Sequence, residues 1–298
     1  MAQLSRAAGR RLVAGVPTVW LLVLFLIPFL IVFRISFSEV RLAIPPYTPL
    51  MSFHHGTPSL EVHASAYSFL FTDPLYASSY LYSLKVAAVS TLCCLALGYP
   101  MAYAIARSGA AARSVLLMLI VLPFWTSFLL RVYAWIGLLK NNGVINNVLL
   151  YLGLIHHPLA LLQTDFAVYI GIIYSYLPFM ILPLYANLEK HDPALLEAAA
   201  DLGARPWRAF LSITVPQSLP GIAAGSLLVF IPAVGEYVIP TLLGRTDQIM
   251  IGRVLSDEFF ENRDWPVASA VAILILLLLV VPIMMFQRVQ RRELEAAK

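Results

Sequence analysis

The chain has 298 residues, 60% of them hydrophobic and only 12% charged, with a mean hydropathy of +0.81. This excludes an ordinary soluble domain and indicates a polytopic, all-α membrane protein. The formal net charge of +4 is modest and matters mainly for where the positive residues fall; no nucleic-acid partner is expected.

Residues 1–12 place Arg6, Arg10 and Arg11 ahead of an apolar run over 13–33. A basic start followed by an apolar stretch is also how a signal peptide begins. A run of about twenty residues is long for that role, and no small-x-small site follows, so it reads as a first span with its N-terminus inside. Residues 34–78 are polar and contain Pro45, Pro46, Pro49 and Pro74, which predicts an outer loop with a short interfacial helix. His54, His55 and His63 lie there without a nearby cysteine or a carboxylate pair, so solvated histidines and no metal site are expected.

A second span is expected over 80–106, containing the adjacent Cys93 and Cys94. Neighbouring cysteines cannot staple distant segments, so they read as small packing residues. A basic turn over 107–113 leads to a third span at 114–138. An outer loop over 140–165 follows, with Asn141-Asn142-Gly143 as its turn signal. A fourth span over 166–188 contains Pro178 and Pro183, which are expected to interrupt it. A polar loop, 189–218, precedes span five (219–243), an outer loop (244–264) and span six (266–286). The organisation is then a cytoplasmic N-terminus (1–12), one six-helix transmembrane domain (13–288) and a cytoplasmic tail (289–298).

Six spans put both termini and the 189–218 loop on one side. That side holds Arg6, Arg10, Arg11, Arg107, Arg113, Lys190, Arg205, Arg208, Arg288, Arg291, Arg292 and Lys298. The other side holds Arg34, Arg41, Lys140, Arg245, Arg253 and Arg263. Positive residues favour the cytoplasm, which makes the first side internal.

A charge within a span costs about 2.5 to 3.5 kcal/mol at mid-helix on insertion scales, so each one asks for a reason. Glu236 lies beside Tyr237 in a stretch with Pro232, Gly235 and Pro240, where a broken helix is expected. Irregular backbone at that depth is tolerated against protein or a wet cavity. Two readings stay open: Glu236 contacts a cationic solute, or it forms a structural ion pair with Arg131 on span three. Arg131 could also reach the outer interface beside Tyr133 and Trp135. Trp125, Tyr133, Trp135 and Tyr174 are candidate path residues, because aromatic faces hold amine cations, although such rings also serve as belt and packing residues. Gly221 and Gly225, four apart on span five, form a close-packing pattern that points to a partner permease. Asp247, Asp257, Glu258, Glu261 and Asp264 make the loop before span six acidic, either as a solvated surface or as a docking surface for a solute-delivering protein. No phosphate-binding glycine loop, zinc-helix motif or nucleophile elbow occurs, so no catalytic residue and no ATP site is assigned.

The 189–218 loop carries its own helix punctuation. Asp192 can cap free N–H groups, and Pro193 suits a first helical position. Leu195, Leu196, Ala198, Ala199 and Ala200 propagate a helix, Gly203 allows the left-handed residue that ends one, and Pro206 begins another. Glu197-Ala198-Ala199, then Gly203, then Ile213 and Pro216 resemble, at full spacing, the "EAA" signature of ABC importer permeases; Val215 replaces the usual leucine. Segments 122–135, 235–240, 249–255 and 262–270, with 43–48, are similar to the polyamine branch of that family, nearest to putrescine importers with spermidine importers close behind.

The resemblance implies a type I ABC importer permease fold in the bacterial inner membrane. It implies a second permease subunit, an ATPase homodimer docked on the coupling loop, and a periplasmic solute-binding protein. ATP and magnesium would sit on the ATPase, with no cofactor on this chain. Glu197, Ala198, Ala199, Asp201 and Gly203, with Leu195 and Leu196, would form the coupling helix. The solute would be a polyamine, putrescine first, moved by alternating access. Another small organic cation or amino-acid-like solute is the runner-up, and an ATP-independent transporter or channel is the reading outside the class.

Overall fold

Apolar runs in lipid must satisfy their backbone polar groups internally, which makes helices of them. The computed structural model describes residues 13–54 and 57–296. Among these residues four helices are long and apolar enough to cross a membrane, and up to six spans result if each of two bent helix pairs counts as one. The basic residues Arg6, Arg10, Arg11 and Lys298, and also His55, lie outside the described residues.

The described residues fall into two compact units, one of residues up to Ala77 with Leu255–Leu277, the other of Ser78–Val254 with residues from Leu278 onward. In the first unit, α1 (Val13–Ile35) leaves most of its apolar surface uncovered, and only its end at Ile35 is buried. A short antiparallel hairpin follows, β1 (Met51–His54) with β2 (Thr57–Leu60), paired from Met51 opposite Leu60 to His54 opposite Thr57. This hairpin is an addition to the helical expectation. Helix α2 (Ser65–Thr72) is the short helix expected in the same segment. The end of α1 is tied to α2 by the Tyr67 hydroxyl, which donates to Ser36 Oγ at 2.9 Å. Trp265 stacks on Phe259 at 5.0 Å and lies 6.0 Å from the Tyr47 ring.

The second unit holds most of α3 (Pro74–Ala106), then α4 (Ala110–Val121) with a 3-10 turn at Leu122–Trp125. The chain bends by 90° before α5 (Phe128–Leu139) and α6 (Val144–Tyr151). The third span is therefore broken, whereas a continuous helix was expected. Buried Asn146 pins the following loop, donating to the Leu159 carbonyl at 2.9 Å and accepting from its N–H at 2.8 Å. The reverse correction applies to α7 (Asp165–Leu188), which runs unbroken through Pro178 and Pro183. Prolines are tolerated in spans that pack closely on other helices.

The close neighbour of α7 is α10 (Leu219–Val234), and glycines set the approach. A Cβ at Gly225 would lie 2.8 Å from Met180 Sδ and 3.0 Å from the Met180 carbonyl; one at Gly221 would lie 2.8 Å from Asn187 Cβ. The close-packing pattern is thus used inside this chain, against α7, and does not mark a partner permease. Buried Cys94 packs with Met180, Ile181, Leu184 and Val229 in one core cluster. Val86, Val132, Ile172, Ile239 and Leu243 build another. Span five stops at Gly235 and resumes as α11 (Val238–Leu243), the break expected from its glycine and prolines. Then come α12 (Ile251–Ser256), a π turn at Asp257–Glu261, and α13 (Trp265–Ala296), which takes the basic tail into a helix.

Candidate coupling loop and solute path

The loop after α7 forms two short helices joined at a bend, α8 (Ala194–Asp201) and α9 (Pro206–Gln217). Asp192 Oδ1 accepts the Ala194 N–H at 2.9 Å, holding the α8 entry. At the exit Gly203 adopts φ +77, its N–H reaches the Ala200 carbonyl at 2.8 Å, and the Ala204 N–H reaches the Ala199 carbonyl at 2.9 Å. These two bonds form a Schellman closure. A Cβ at Gly203 would meet nothing within 4 Å, so the glycine is required by its backbone angle and not by space.

The two leucines of α8 diverge. Leu195 is exposed, whereas half-buried Leu196 lines a cavity of about 220 Å³ with Tyr103, Ala200, Pro206 and Phe210. Glu197, Ala198 and Asp201 are exposed, and Ala199 is half-buried. Leu202, at 89% exposure, and exposed Trp207 extend the apolar tip. Sequence reading missed both, although an exposed apolar residue beside a C-terminal glycine was the available signal. The arm is anchored from behind. Phe210 sits edge-on to Tyr99 and Tyr103 at 5.7 and 5.6 Å, and Tyr99 hydrogen-bonds Ser218 at 2.8 Å. Arg113 pairs with Glu189 at 2.5 Å and donates to the Ala106 and Ser108 carbonyls, closing the α3–α4 turn onto the base of the loop. His191 keeps Nε2 buried without a partner, and burial pushes its pKa below the ordinary imidazole value.

At the break in span five, Glu236 is 7% exposed. Its Oε1 accepts the N–H groups of Tyr237, Val238 and Ile239 at 3.2, 3.0 and 3.3 Å. Tyr176 of α7 donates its hydroxyl to Oε2. A carboxylate at a helix N-terminus satisfies orphan donors and complements the dipole. Glu236 therefore caps α11 and ties it to α7. Ser83 Oγ accepts the Ile251 N–H at 2.8 Å, fixing the start of α12 on α3.

Arg131 is likewise engaged elsewhere than with Glu236. It donates to the Pro123 carbonyl and, at 3.2 Å, to the Thr126 carbonyl, and lies over the rings of Phe124 and Phe128 at 5.2 and 5.8 Å. The guanidinium takes up carbonyls where span three bends, a staple across the bend, and no ion pair between Arg131 and Glu236 is seen among the described residues. Among the candidate path aromatics, Trp135 and Tyr174 meet edge-on at 5.6 Å. Trp125 and Tyr133 are exposed, and Tyr237 beside the cap is 44% exposed. Tyr174 also lines a cavity of about 430 Å³ with Met101, Leu119, Pro123 and Leu177. Its lining holds no ionisable group except the tyrosine.

Two of the acidic residues of the 244–264 loop have partners within the chain. Arg245 Nε donates to Asp247 at 2.7 Å, and holds the Asp247 carboxyl below its ordinary range. Glu258 accepts from Tyr76 at 2.7 Å and from Asn262 at 2.9 Å.

Comparison with known proteins agrees with this arrangement. Residues 94–294 match the model of the "Binding-protein-dependent transport system inner membrane component" family. The spermidine/putrescine transport system permease protein PotB of Haemophilus influenzae is 38% identical over 272 residues, covering 91% of each chain. PotB of Escherichia coli K12 is 42% identical over 219 residues, 74% of this chain and 80% of that one. The crystal structure of a bacterial ABC transporter involved in import of the acidic polysaccharide alginate superposes with a TM-score of 0.72 at 18% identity, covering 97% of this chain and 99% of the other, a likeness of fold. A helical chain with this break in span five, this capped loop and this breadth of match belongs to the binding-protein-dependent transport system inner membrane components.

Proposed function

We propose that this chain is the permease subunit of an ATP-driven polyamine importer of the bacterial inner membrane, accepting putrescine and spermidine. The carrying observation is α8. It is a Schellman-closed helix whose Leu195 and adjoining Leu202 stay exposed, with Trp207 of α9 beside them in the same arm, while the base of the loop is tied to α3 and α4. Such an element transmits a push. The occupant of its outer side is an ATPase homodimer, which holds ATP and magnesium. The family membership and the PotB likeness support the importer class and the polyamine solute.

In this reading the termini and α8 face the cytoplasm. A second permease subunit completes the path, and a periplasmic binding protein delivers the solute. ATPase closure moves α8, and through Phe210, Tyr99 and Tyr103 the motion reaches α3. Exposed Tyr174 and Tyr237 offer π faces to an amine, Trp125 and Tyr133 face the second permease, and Glu236 holds the end of α11 without binding solute.

The test is ATP hydrolysis in proteoliposomes holding this chain, its partner permease and the ATPase, with the binding protein loaded with putrescine, spermidine or an unrelated amino acid. Polyamine-loaded protein is expected to stimulate hydrolysis, and Glu197→Ala with Gly203→Asp is expected to abolish the stimulation. Stimulation by the amino acid alone would discard the polyamine, and solute flux without ATP would discard the importer.

A further inference from the structure

The first unit contains a small cavity of about 220 Å³ that the coupling and path arguments leave unused. Its lining combines a carboxylate with apolar walls: Asp264 and Ser38 with Val40, Phe69, Pro266 and Val267. At the ~30 Å³ that a water occupies in the liquid, this is room for an ammonium group and a few methylenes.

Two polar groups of that lining stand out, a buried hydroxyl without a partner and a half-buried carboxylate. Ser38 is 1% exposed, and its hydroxyl, buried, has no hydrogen-bond partner. A buried hydroxyl without a partner is uncommon and asks for an explanation. Asp264 accepts the Val267 N–H on Oδ1 at 3.0 Å, capping α13; no bond to its second oxygen is seen among the described residues. Burial, with Glu258 close by, pushes the Asp264 carboxyl above its ordinary range. A cation beside it would relieve that desolvation.

The sign and shape narrow the ligand. Among the described residues no group of three or more His, Cys, Asp or Glu is placed to hold a metal ion. The adjoining groove, which shares Val40, carries Arg41 and Arg263 and has the wrong sign for a cation. A hydroxyl and a carboxylate oxygen suit the three donors of a primary ammonium, and Val40, Phe69 and Val267 suit the chain behind it.

We propose that the cavity between Ser38 and Asp264 binds the terminal ammonium of a short alkylamine. In the orientation given above its lining segments belong to the outer loops. The choice of alkylamine rests on the polyamine reading.

The test uses the full chain with its partner permease in nanodiscs, without binding protein or ATPase. The reporter is Val40→Cys, at the exposed rim of the cavity, in a Cys93→Ala, Cys94→Ala background. A methanethiosulfonate bearing a quaternary ammonium is expected to react about tenfold faster than one bearing a sulfonate, the local enrichment that an acidic cleft produces. Putrescine and n-butylammonium at millimolar concentration should slow that reaction, while sodium at equal ionic strength should not. Asp264→Asn keeps the α13 cap and should remove both the charge preference and the protection. Ser38→Ala should weaken protection several-fold; if the hydroxyl is only a packing defect, it will leave protection unchanged and count against the site. Charge-indifferent labelling, or protection by sodium alone, overturns the proposal even where the ATPase assay succeeds with polyamine. Protection by n-butylammonium upholds it even where that assay fails.

Discussion

Glu236 shows how one buried carboxylate can be read from its donors. Three consecutive N–H groups and the Tyr176 hydroxyl converge on it, and their geometry uses both oxygens. Removing it orphans all four donors. Loss of a helix cap costs about 0.5–2 kcal/mol and an unsatisfied buried donor about 1–3 kcal/mol. Glu236→Ala is therefore expected to lower the unfolding temperature of the purified permease pair, and Glu236→Gln to lower it less, since the amide oxygen still accepts. Neither should change KM for the amine in transport by more than a small factor. If Glu236→Gln raised KM many-fold while leaving unfolding unchanged, the carboxylate would be a solute contact and not a cap.

Elements whose signals are local were legible in the sequence, and those that depend on a distant partner were not. Asp192, Pro193 and Gly203 act within one turn of themselves, so both ends of α8 could be placed from residues alone. The fate of a proline in a span depends on what covers it. Pro178 and Pro183 stay inside a continuous α7, on which α10 packs through Gly221 and Gly225. At Pro123 the chain turns, and Arg131, eight residues on, collects the carbonyls of the bend. Nothing local distinguishes these prolines. Leu195 and Leu196 divided for the same reason, because only the fold shows that Phe210 closes a cavity over one of them. The coupling arm has a titratable element of its own. His191 packs at the base of the loop with Nε2 unpartnered, desolvated and close to Arg107, and its pKa is lowered from 6.5. The unfolded loop binds the proton more readily than the folded one, so this stability is fully present above the ordinary imidazole value. It is lost as pH falls from there through the lowered folded value. Limited proteolysis of the α8–α9 arm should accelerate as pH is taken from 7.5 towards 5 (about one unit above and below the neutral-to-acid window of imidazole), and His191→Gln should flatten that acid limb. An acid limb unchanged in His191→Gln would move the titration to another group.

At the scale of the whole molecule, the asymmetry of positive charge and the distribution of exposed apolar residues make one joint claim about orientation. Arg107, Arg113, Lys190, Arg205 and Arg208 cluster on the α3–α4 turn and the α8–α9 arm, where they favour the cytoplasm. The opposite loops expose Leu42 fully and Leu202 lies 89% exposed on the α8 tip, so each can report its own side without disturbing a packed core. Single cysteines at these positions, in a Cys93→Ala, Cys94→Ala background, can be probed in intact bacterial spheroplasts with a membrane-impermeant maleimide. Leu42→Cys is expected to label at once. Leu202→Cys should label only after permeabilisation, and more slowly still once the ATPase is co-expressed, because the docked ATPase then covers the tip. Immediate labelling of Leu202→Cys with protection of Leu42→Cys would invert the topology and with it the direction of transport. Labelling of Leu202→Cys that the ATPase leaves unchanged would keep the topology and remove α8 from the interface, since a side chain this exposed at the tip cannot sit in a docked groove and stay open to reagent.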